Sequence, residues 1–259
     1  MELYPENALV LAPLSGFTDL PYRRAARRGG CRFAFTEMVD AASIVYSPDR
    51  AEKLLVRGEE ETFLGVQLVG ADTVLLEKAA VFLNSFDFSV LDVNMGCPVP
   101  KVVRKGAGAA LGADIDRAAA ALAAVAAKSR LPVTAKFRII SAEDPAPTVE
   151  LARKLVDNGA VALTVHGRTR HSFYTGEVKS DIIKAVRESI PVPVIANGGI
   201  NSPQSAAAMR EQSGCSRLML AQGAMGNPWL FGLIEGGKSP TVGEWREMVL
   251  THVAEMVDL

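Results

Sequence analysis

The chain has 259 residues, 49% of them hydrophobic and 22% charged, with 28 basic against 29 acidic side chains. A chain this apolar and nearly neutral offsets its ordering entropy by burial, which excludes disorder. Its 22 glycines follow no fixed period and its 3 cysteines are few, excluding collagen-like and disulfide-scaffold classes. The charge balance also argues against a dedicated basic nucleic-acid module.

The N-terminal stretch Met1–Asn7 lacks the basic and apolar segments of a secretion signal. Short β-branched runs then alternate with helical patterns. Leu9–Pro13 predicts a strand, and Asp19–Arg28 a helix capped by Asp19 with Pro21 in its first turn. Phe33–Thr36 predicts the second strand and Val39–Val56 a less regular helical region. Phe63–Leu68 (strand), Asp72–Asn84 (helix), Phe88–Asn94 (strand) and Asp114–Ser129 (helix) follow. The longest apolar run, Ala118–Ala127, is too short to span a membrane, which takes roughly 20 apolar residues. Strand Pro132–Arg138, helix Pro147–Asn158 and strand Ala162–His166 come next. Helix Ser180–Ser189, strand Val192–Ala196, helix Ser202–Gln212 and strand Arg217–Ala221 complete the series. The tail, Val242–Leu259, has the apolar spacing of an amphipathic helix.

Eight β units, each followed by a helical candidate, predict an α/β fold of the (β/α)8 TIM-barrel type, since alternation implies parallel strands with right-handed crossovers. An open doubly wound sheet is the alternative, because periodicity does not show closure. Cys31, Cys97 and Cys215 lie too far apart for a disulfide framework or a metal-ligand spacing, so no metal is expected. A soluble, cytoplasmic, monomeric protein is the resulting expectation.

In such barrels the reactive groups come from the carboxyl ends of the strands. Here the strands turn polar at those ends: Ser15, Glu37, Gln67, Asp92 and Asn94, Lys136 and Arg138, His166 and Arg168, Asn197, Gln222. Alternation puts Thr134, Lys136 and Arg138 on one face, likewise Thr164, His166 and Arg168, and likewise Asp92 and Asn94. Val133, Ala135, Phe137, Leu163 and Val165 then face the helices. A lone strand-end lysine is ordinarily a solvated one; polar groups at every strand end point to a cavity. The loops Asn197-Gly198-Gly199 and Gln222-Gly223-Ala224-Met225-Gly226-Asn227 let backbone N–H groups approach an anion, predicting a phosphate on cofactor or substrate. Cys97 lies beyond the fourth strand in Asn94-Met95-Gly96-Cys97-Pro98, whereas Cys31 and Cys215 read as core. An ordinary thiol, with pKa ~8.5, is protonated at neutral pH. Position alone leaves Cys97 a bland loop thiol, a proton donor or a nucleophile.

These motifs resemble the flavin-dependent tRNA-dihydrouridine synthases. The resembling segments are Leu11–Arg23, Phe35–Val39, Gln67–Gly70, Asp92–Val103, Gly106–Leu111, Lys136–Arg138, His166–Arg170, Pro193–Gly199 and Gly226–Trp229. They stand in family order, and Asn94-Met95-Gly96-Cys97-Pro98 with its downstream Gly106-Ala107-Gly108-Ala109-Ala110 is the most specific. The resemblance implies a barrel that binds FMN, draws electrons from NADPH and reduces the C5–C6 bond of uridine in tRNA. It implies that Pro13, Leu14 and Ser15 contact the flavin through their backbone, and that Gln67 partners the isoalloxazine edge. Lys136 would lie beside the flavin pyrimidine and His166 would help hold the cofactor. Asn197, Gly198, Gly199, Ala221, Gln222 and Gly223 would bind its phosphate. Asn94, Arg138, Arg168 and Arg170 would bind substrate, and Cys97 would be the catalytic proton donor.

Two departures stand out: Gly199 where many members carry Asp, and Gln222 where Arg is usual. Backbone donors survive both, so FMN binding is expected to persist. The resemblance divides the chain into a catalytic barrel, 1–236, and the start of a C-terminal helical tRNA-binding domain, 237–259. The near-zero charge then averages over local basic groups: Arg23, Arg24, Arg27 and Arg28; Lys101, Arg104 and Lys105; and Arg138, Arg168 and Arg170. The strand-end arginines are the candidates for RNA contact. Competing readings are an FMN barrel oxidoreductase acting on a free pyrimidine, a non-catalytic tRNA-binding barrel, and a phosphate-binding barrel lyase.

Overall fold

The computed structural model describes residues 3–257. Its strands are β1 (Leu9–Leu11), β2 (Phe33–Asp40), β3 (Leu64–Val69), β4 (Val90–Met95), β5 (Val133–Arg138), β6 (Ala162–His166), β7 (Val194–Asn197) and β8 (Arg217–Leu220). All neighbours pair in parallel, and β8 returns to β1 through Leu9↔Leu218 and Leu11↔Leu220. That closure makes the fold a TIM barrel and removes the open-sheet alternative.

Helices follow the strands: α1 (Leu20–Arg28), α2 (Ala41–Tyr46), α3 (Pro48–Glu52), α4 (Thr73–Leu83), α5 (Pro100–Val103), α6 (Ala109–Gly112), α7 (Ile115–Lys128), α8 (Ala146–Asp157), α9 (Ser180–Ser189), α10 (Pro203–Ser213), α11 (Leu230–Ile234) and α12 (Val242–Val257). Their starts are chemically determined. Asp19, Asp72 and Asp114 each accept backbone N–H groups that the first turn would leave unpaired. Ser202 and Ser205 form a reciprocal capping box at α10.

One stretch departs from the sequence pattern. Val39–Val56 reads as helical, yet β2 runs on to Asp40, and the helical part is two short helices broken at Ser47-Pro48. The register against β3 shifts between Phe35 and Met38, and this irregularity re-aims the strand without ending it. Asp40 then caps α2, accepting from the Ala42 N–H. Pro48 lacks the N–H that a continuous helix would need. Of the predicted tail helix, α12 covers 242–257, and the last two residues lie outside the described ones.

The outward residues of the strands, including Val133, Ala135, Phe137, Leu163 and Val165, pack with the helices in one large core. A smaller cluster with Tyr4, Val10, Phe35, Val90, Ile195 and Met219 fills the barrel interior toward its amino end. Gly65 is required beside it, because a Cβ there would sit 2.3 Å from the Phe35 ring. Cys31 and Cys215 are buried in the large core, as predicted.

The α1 arginines are engaged within the protein. Arg23 pairs with Glu61, Arg24 with Glu60, Arg27 with Glu61, and Arg28 with Glu255 of α12. The Arg28 pair docks α12 against α1, while Trp245, Val249, Val253 and Met256 of α12 stay exposed. Among the described residues, no helix is long and apolar enough to cross a membrane.

Candidate active site

A cavity of about 570 Å³ opens at the carboxyl ends of the strands. Pro13, Leu14, Ser15, Gln67, Asn94, Cys97, Lys136, Arg138, His166, Arg168, Asn197, Gly198, Gly199, Ala221, Gln222 and Gly223 all line it, so the sequence-predicted residues converge. Arg170 does not; it is exposed and donates to His171 Nε2.

The β1 loop forms one wall and is braced from below. The Leu14 N–H donates to Thr18 Oγ1 at 2.9 Å, and the Gly16 N–H donates to the Glu37 carboxylate. Arg23, 1% exposed, donates to the Thr18 and Val56 carbonyls and in a fork to both Glu61 oxygens at 2.9 Å. Burial alone would raise the Glu61 carboxyl, but its arginine partners outweigh that and hold it below the ordinary range.

The opposite wall is a polar network on β3 and β4. Gln67, Asp92 and Thr134 occupy one rung of the barrel, fixed by the pairings Gln67↔Asp92 and Asp92↔Thr134. Gln67 Nε2 donates to Asp92 at 2.7 Å, and Thr134 Oγ1 donates to its other oxygen at 2.6 Å. Asn94 Nδ2 donates to Gln67 Oε1 at 2.7 Å. Asn94 Oδ1 in turn accepts the N–H groups of Gly96 (3.1 Å) and Cys97 (2.9 Å), and so shapes the turn that carries the thiol. Asn94 therefore meets most of its hydrogen-bonding capacity inside the protein. Burial raises the Cys97 thiol above its ordinary value, against the pull of the Val99 backbone, Arg138 and Lys136. That shift favours the thiol over the thiolate.

Four cationic or basic groups complete the site: Lys136, His166, Arg138 and Arg168. Lys136 Nζ donates to Asn197 Oδ1 at 2.9 Å, and Asn197 Nδ2 to the Met219 carbonyl at 2.8 Å. Burial, helped by Arg138, lowers the Lys136 ammonium to about 8, against the pull of Asp92 and Cys97. His166 is buried, and its Nε2 has no hydrogen-bond partner. Desolvation, with Lys136, Arg138 and Arg168 nearby, keeps its imidazole neutral. Arg138 is 5% exposed and donates to the carbonyls of Gly96, Thr169 and Phe173, with Tyr174 over its guanidinium at 5.4 Å. In the structure it ties two loops together. Arg168 Nε likewise donates to the Gly176 carbonyl, at 2.9 Å.

The β7 and β8 loops bring backbone close to this group. Gly198 has φ +121°, and a Cβ there would stand 2.9 Å from the His166 ring. Gly223 lies against the Ile200 carbonyl, 2.1 Å from where its Cβ would be. Neither position accepts a side chain. Among the described residues, no group of three or more His, Cys, Asp or Glu is arranged to hold a metal.

The chain matches the family Dihydrouridine synthase (Dus) over residues 10–259. The chain belongs to the dihydrouridine synthase family. It is 36% identical to tRNA-dihydrouridine synthase B of Shewanella oneidensis, across 98% of this chain and 81% of that protein. With tRNA-dihydrouridine synthase B of Pseudomonas aeruginosa the identity is 36% over 96% of this chain and 77% of the relative. Among solved structures, histamine dehydrogenase from Rhizobium sp. 4-9 shares the barrel at 14% identity, with a TM-score of 0.64 over 93% of this chain and 46% of that one. The 6-hydroxypseudooxynicotine amine oxidase of Pseudomonas geniculata is similar at 13% identity and a TM-score of 0.66, over 93% and 48%. These two show the fold alone.

For a dihydrouridine synthase family member, sequence reasoning passed over several lining or bracing residues. Asp92 is visible in the alternation with Asn94, but its tie to Gln67 requires the β3–β4 register. Met38, Phe17 and Tyr174 also line the cavity, and Tyr174 comes from a loop with no periodic signal.

Proposed function

We propose that the protein is a tRNA-dihydrouridine synthase that uses FMN and NADPH to reduce the C5–C6 bond of uridine in tRNA. The observation that carries this reading is the cavity that joins the Cys97 thiol to Lys136, His166 and the glycine loops in a chain of this family. Both relatives named above are tRNA-dihydrouridine synthases, which supports tRNA as the substrate.

The residues fit a flavin mononucleotide. His166 Nε2 is a buried polar atom that needs a partner, and Gly198 and Gly223 leave backbone bare where a phosphate would approach. Pro13, Leu14 and Ser15 would hold the ring from one wall, and Gln67 and Lys136 from the other. Asn197, Gly199, Ala221 and Gln222 would surround the phosphate with Gly198 and Gly223. When bound, the flavin supplies to uracil C6 a hydride that originates in the nicotinamide.

Cys97 gives its thiol proton to C5, where negative charge gathers, and the thiolate regains a proton from solvent. Uracil thereby gains one hydride and one proton, the two hydrogens of dihydrouridine. Lys136 holds positive charge beside the site and stabilises the anionic species there. Asn94 holds the Cys97 turn toward the ring, and Arg138 braces the same turn through the Gly96 carbonyl. A uridine inside folded tRNA must leave its stack to reach this cavity. Arg168 and the exposed Arg170 would meet phosphates outside it. Residues 1–236 form the catalytic unit in this reading, and the segment 237–259, which carries α12, engages tRNA.

A preparation loaded with cofactor is yellow, releases FMN on denaturation and is bleached by NADPH. A protein that takes up no flavin on reconstitution removes this reading.

A further inference from the structure

We propose that Asp92 is a positioning residue for the Cys97 thiol, acting through Gln67 and Asn94. The inference rests on the reading of Cys97 as proton donor given above.

The argument is one of hydrogen-bond polarity. An ionised carboxylate only accepts, a backbone N–H only donates, and a carboxamide does one at each end. In this site two carboxamides stand in series between such termini. The Cys97 N–H donates to Asn94 Oδ1, Asn94 Nδ2 to Gln67 Oε1, and Gln67 Nε2 to Asp92 Oδ2, at 2.9, 2.7 and 2.7 Å. Every bond is made in one orientation of the two amides. Thr134 Oγ1 donates to the second Asp92 oxygen, so the carboxylate accepts on both sides. Gln67 and Asp92 are 0% and 2% exposed, so water does not replace a lost partner.

Without an acceptor at 92, Gln67 is free to turn over and point its NH2 at the NH2 of Asn94. Asn94 relieves that clash by turning as well, which withdraws the acceptor from the Gly96 and Cys97 N–H groups. The thiol turn then keeps only its other brace, Arg138 Nε on the Gly96 carbonyl at 2.8 Å. Asp92 does not line the cavity, so its influence on the site passes through Gln67 and Asn94.

The test uses Asp92→Leu, which removes the acceptor, and Asp92→Asn, whose carbonyl keeps it while its NH2 donates to Thr134 Oγ1. Gln67→Met breaks the same series one bond further along, and serves if Asp92→Leu fails to fold. Folding is checked by Cys31 and Cys215 staying unreactive to iodoacetamide. Amide exchange at Cys97 is expected to speed up about tenfold or more in Asp92→Leu and Gln67→Met and to return close to wild type in Asp92→Asn. Alkylation of Cys97 by iodoacetamide, read by peptide mass spectrometry, follows the same order. With tRNA, Asp92→Leu lowers uridine reduction about tenfold or more, yet adds no further loss in a Cys97→Ala background. Wild-type exchange at Cys97 in both chain-breaking variants, or additive losses with Cys97→Ala, overturns the proposal. If the exchange and alkylation results hold while the wild-type protein reduces no uridine, the positioning role stands and the functional reading falls.

Discussion

The Arg138 guanidinium donates to the Phe173 carbonyl at 2.6 Å, tying the end of β5 to a residue held at φ +48°. A non-glycine residue in that region costs energy and persists where its surroundings fix it. Arg138 supplies that fixing, with Thr169 and Gly96 as further acceptors and Tyr174 over its face. The loop that carries Tyr174 over the cavity and the turn that carries Cys97 therefore share one anchor.

Arg138→Lys is expected to release both. A single ammonium lacks the planar fork that spans three carbonyls. Hydrogen exchange in 169–175 should accelerate, and uridine reduction should fall about tenfold or more with the barrel's melting temperature little changed. Unaltered exchange in that loop contradicts the anchoring role.

Cys97→Ala should keep flavin content and reduction by NADPH while the tRNA-dependent reoxidation of the cofactor slows by about 10²-fold or more, the usual scale of general-acid catalysis. Rapid-mixing absorbance separates the two half-reactions. The same loss in both would place Cys97 in cofactor binding instead.

Asp92 should make stability depend on acid pH in an unusual direction. Burial raises its carboxyl to about 6, against the hydrogen bonds of Thr134 and Gln67 and the charge of Lys136. A folded-state value above the unfolded one, ~3.9, means that the native protein holds the extra proton between them. The contribution of Asp92 is therefore fully present below about 4 and is lost as pH rises through about 6. Asp92→Asn should flatten that decline in the cofactor-free protein, an effect on the order of 2–3 kcal/mol at most. Urea unfolding of both proteins at pH 4 and pH 7 measures it; parallel pH profiles contradict it.

Glu61→Ala should unfold the β1 loop's support. Arg23 would be left charged and buried, and breaking such a pair costs about 3–5 kcal/mol. Denaturant midpoints report the loss. A change within about 0.5 kcal/mol, the scale of an ordinary surface substitution, would mean that water or another acceptor replaces the carboxylate.

Much of the barrel was legible because its signals are local. Asp19, Asp72 and Asp114 mark helix starts by side-chain chemistry, and strand alternation assigns Lys136 and His166 to the interior without knowledge of their partners. Closure was not legible, since the β1–β8 pairing joins residues some 200 apart. The β2 extension to Asp40 was missed because an irregular register hides the alternation that would reveal it. Arg138 shows the other limit. Its strand-end place correctly predicts a position at the cavity, but its three carbonyl acceptors come from two separate loops and leave no sequence pattern. The arginines of α1 show the same limit, since their partners Glu60, Glu61 and Glu255 are distant in the chain.

The central claim is tested most directly by mass mapping of tRNA from cells that lack the protein. The account predicts that particular uridines lose the two added hydrogens of dihydrouridine, that the wild-type gene restores them, and that Cys97→Ala does not. Identical dihydrouridine in tRNA with and without the protein, in cells with no second enzyme acting at those positions, would contradict it.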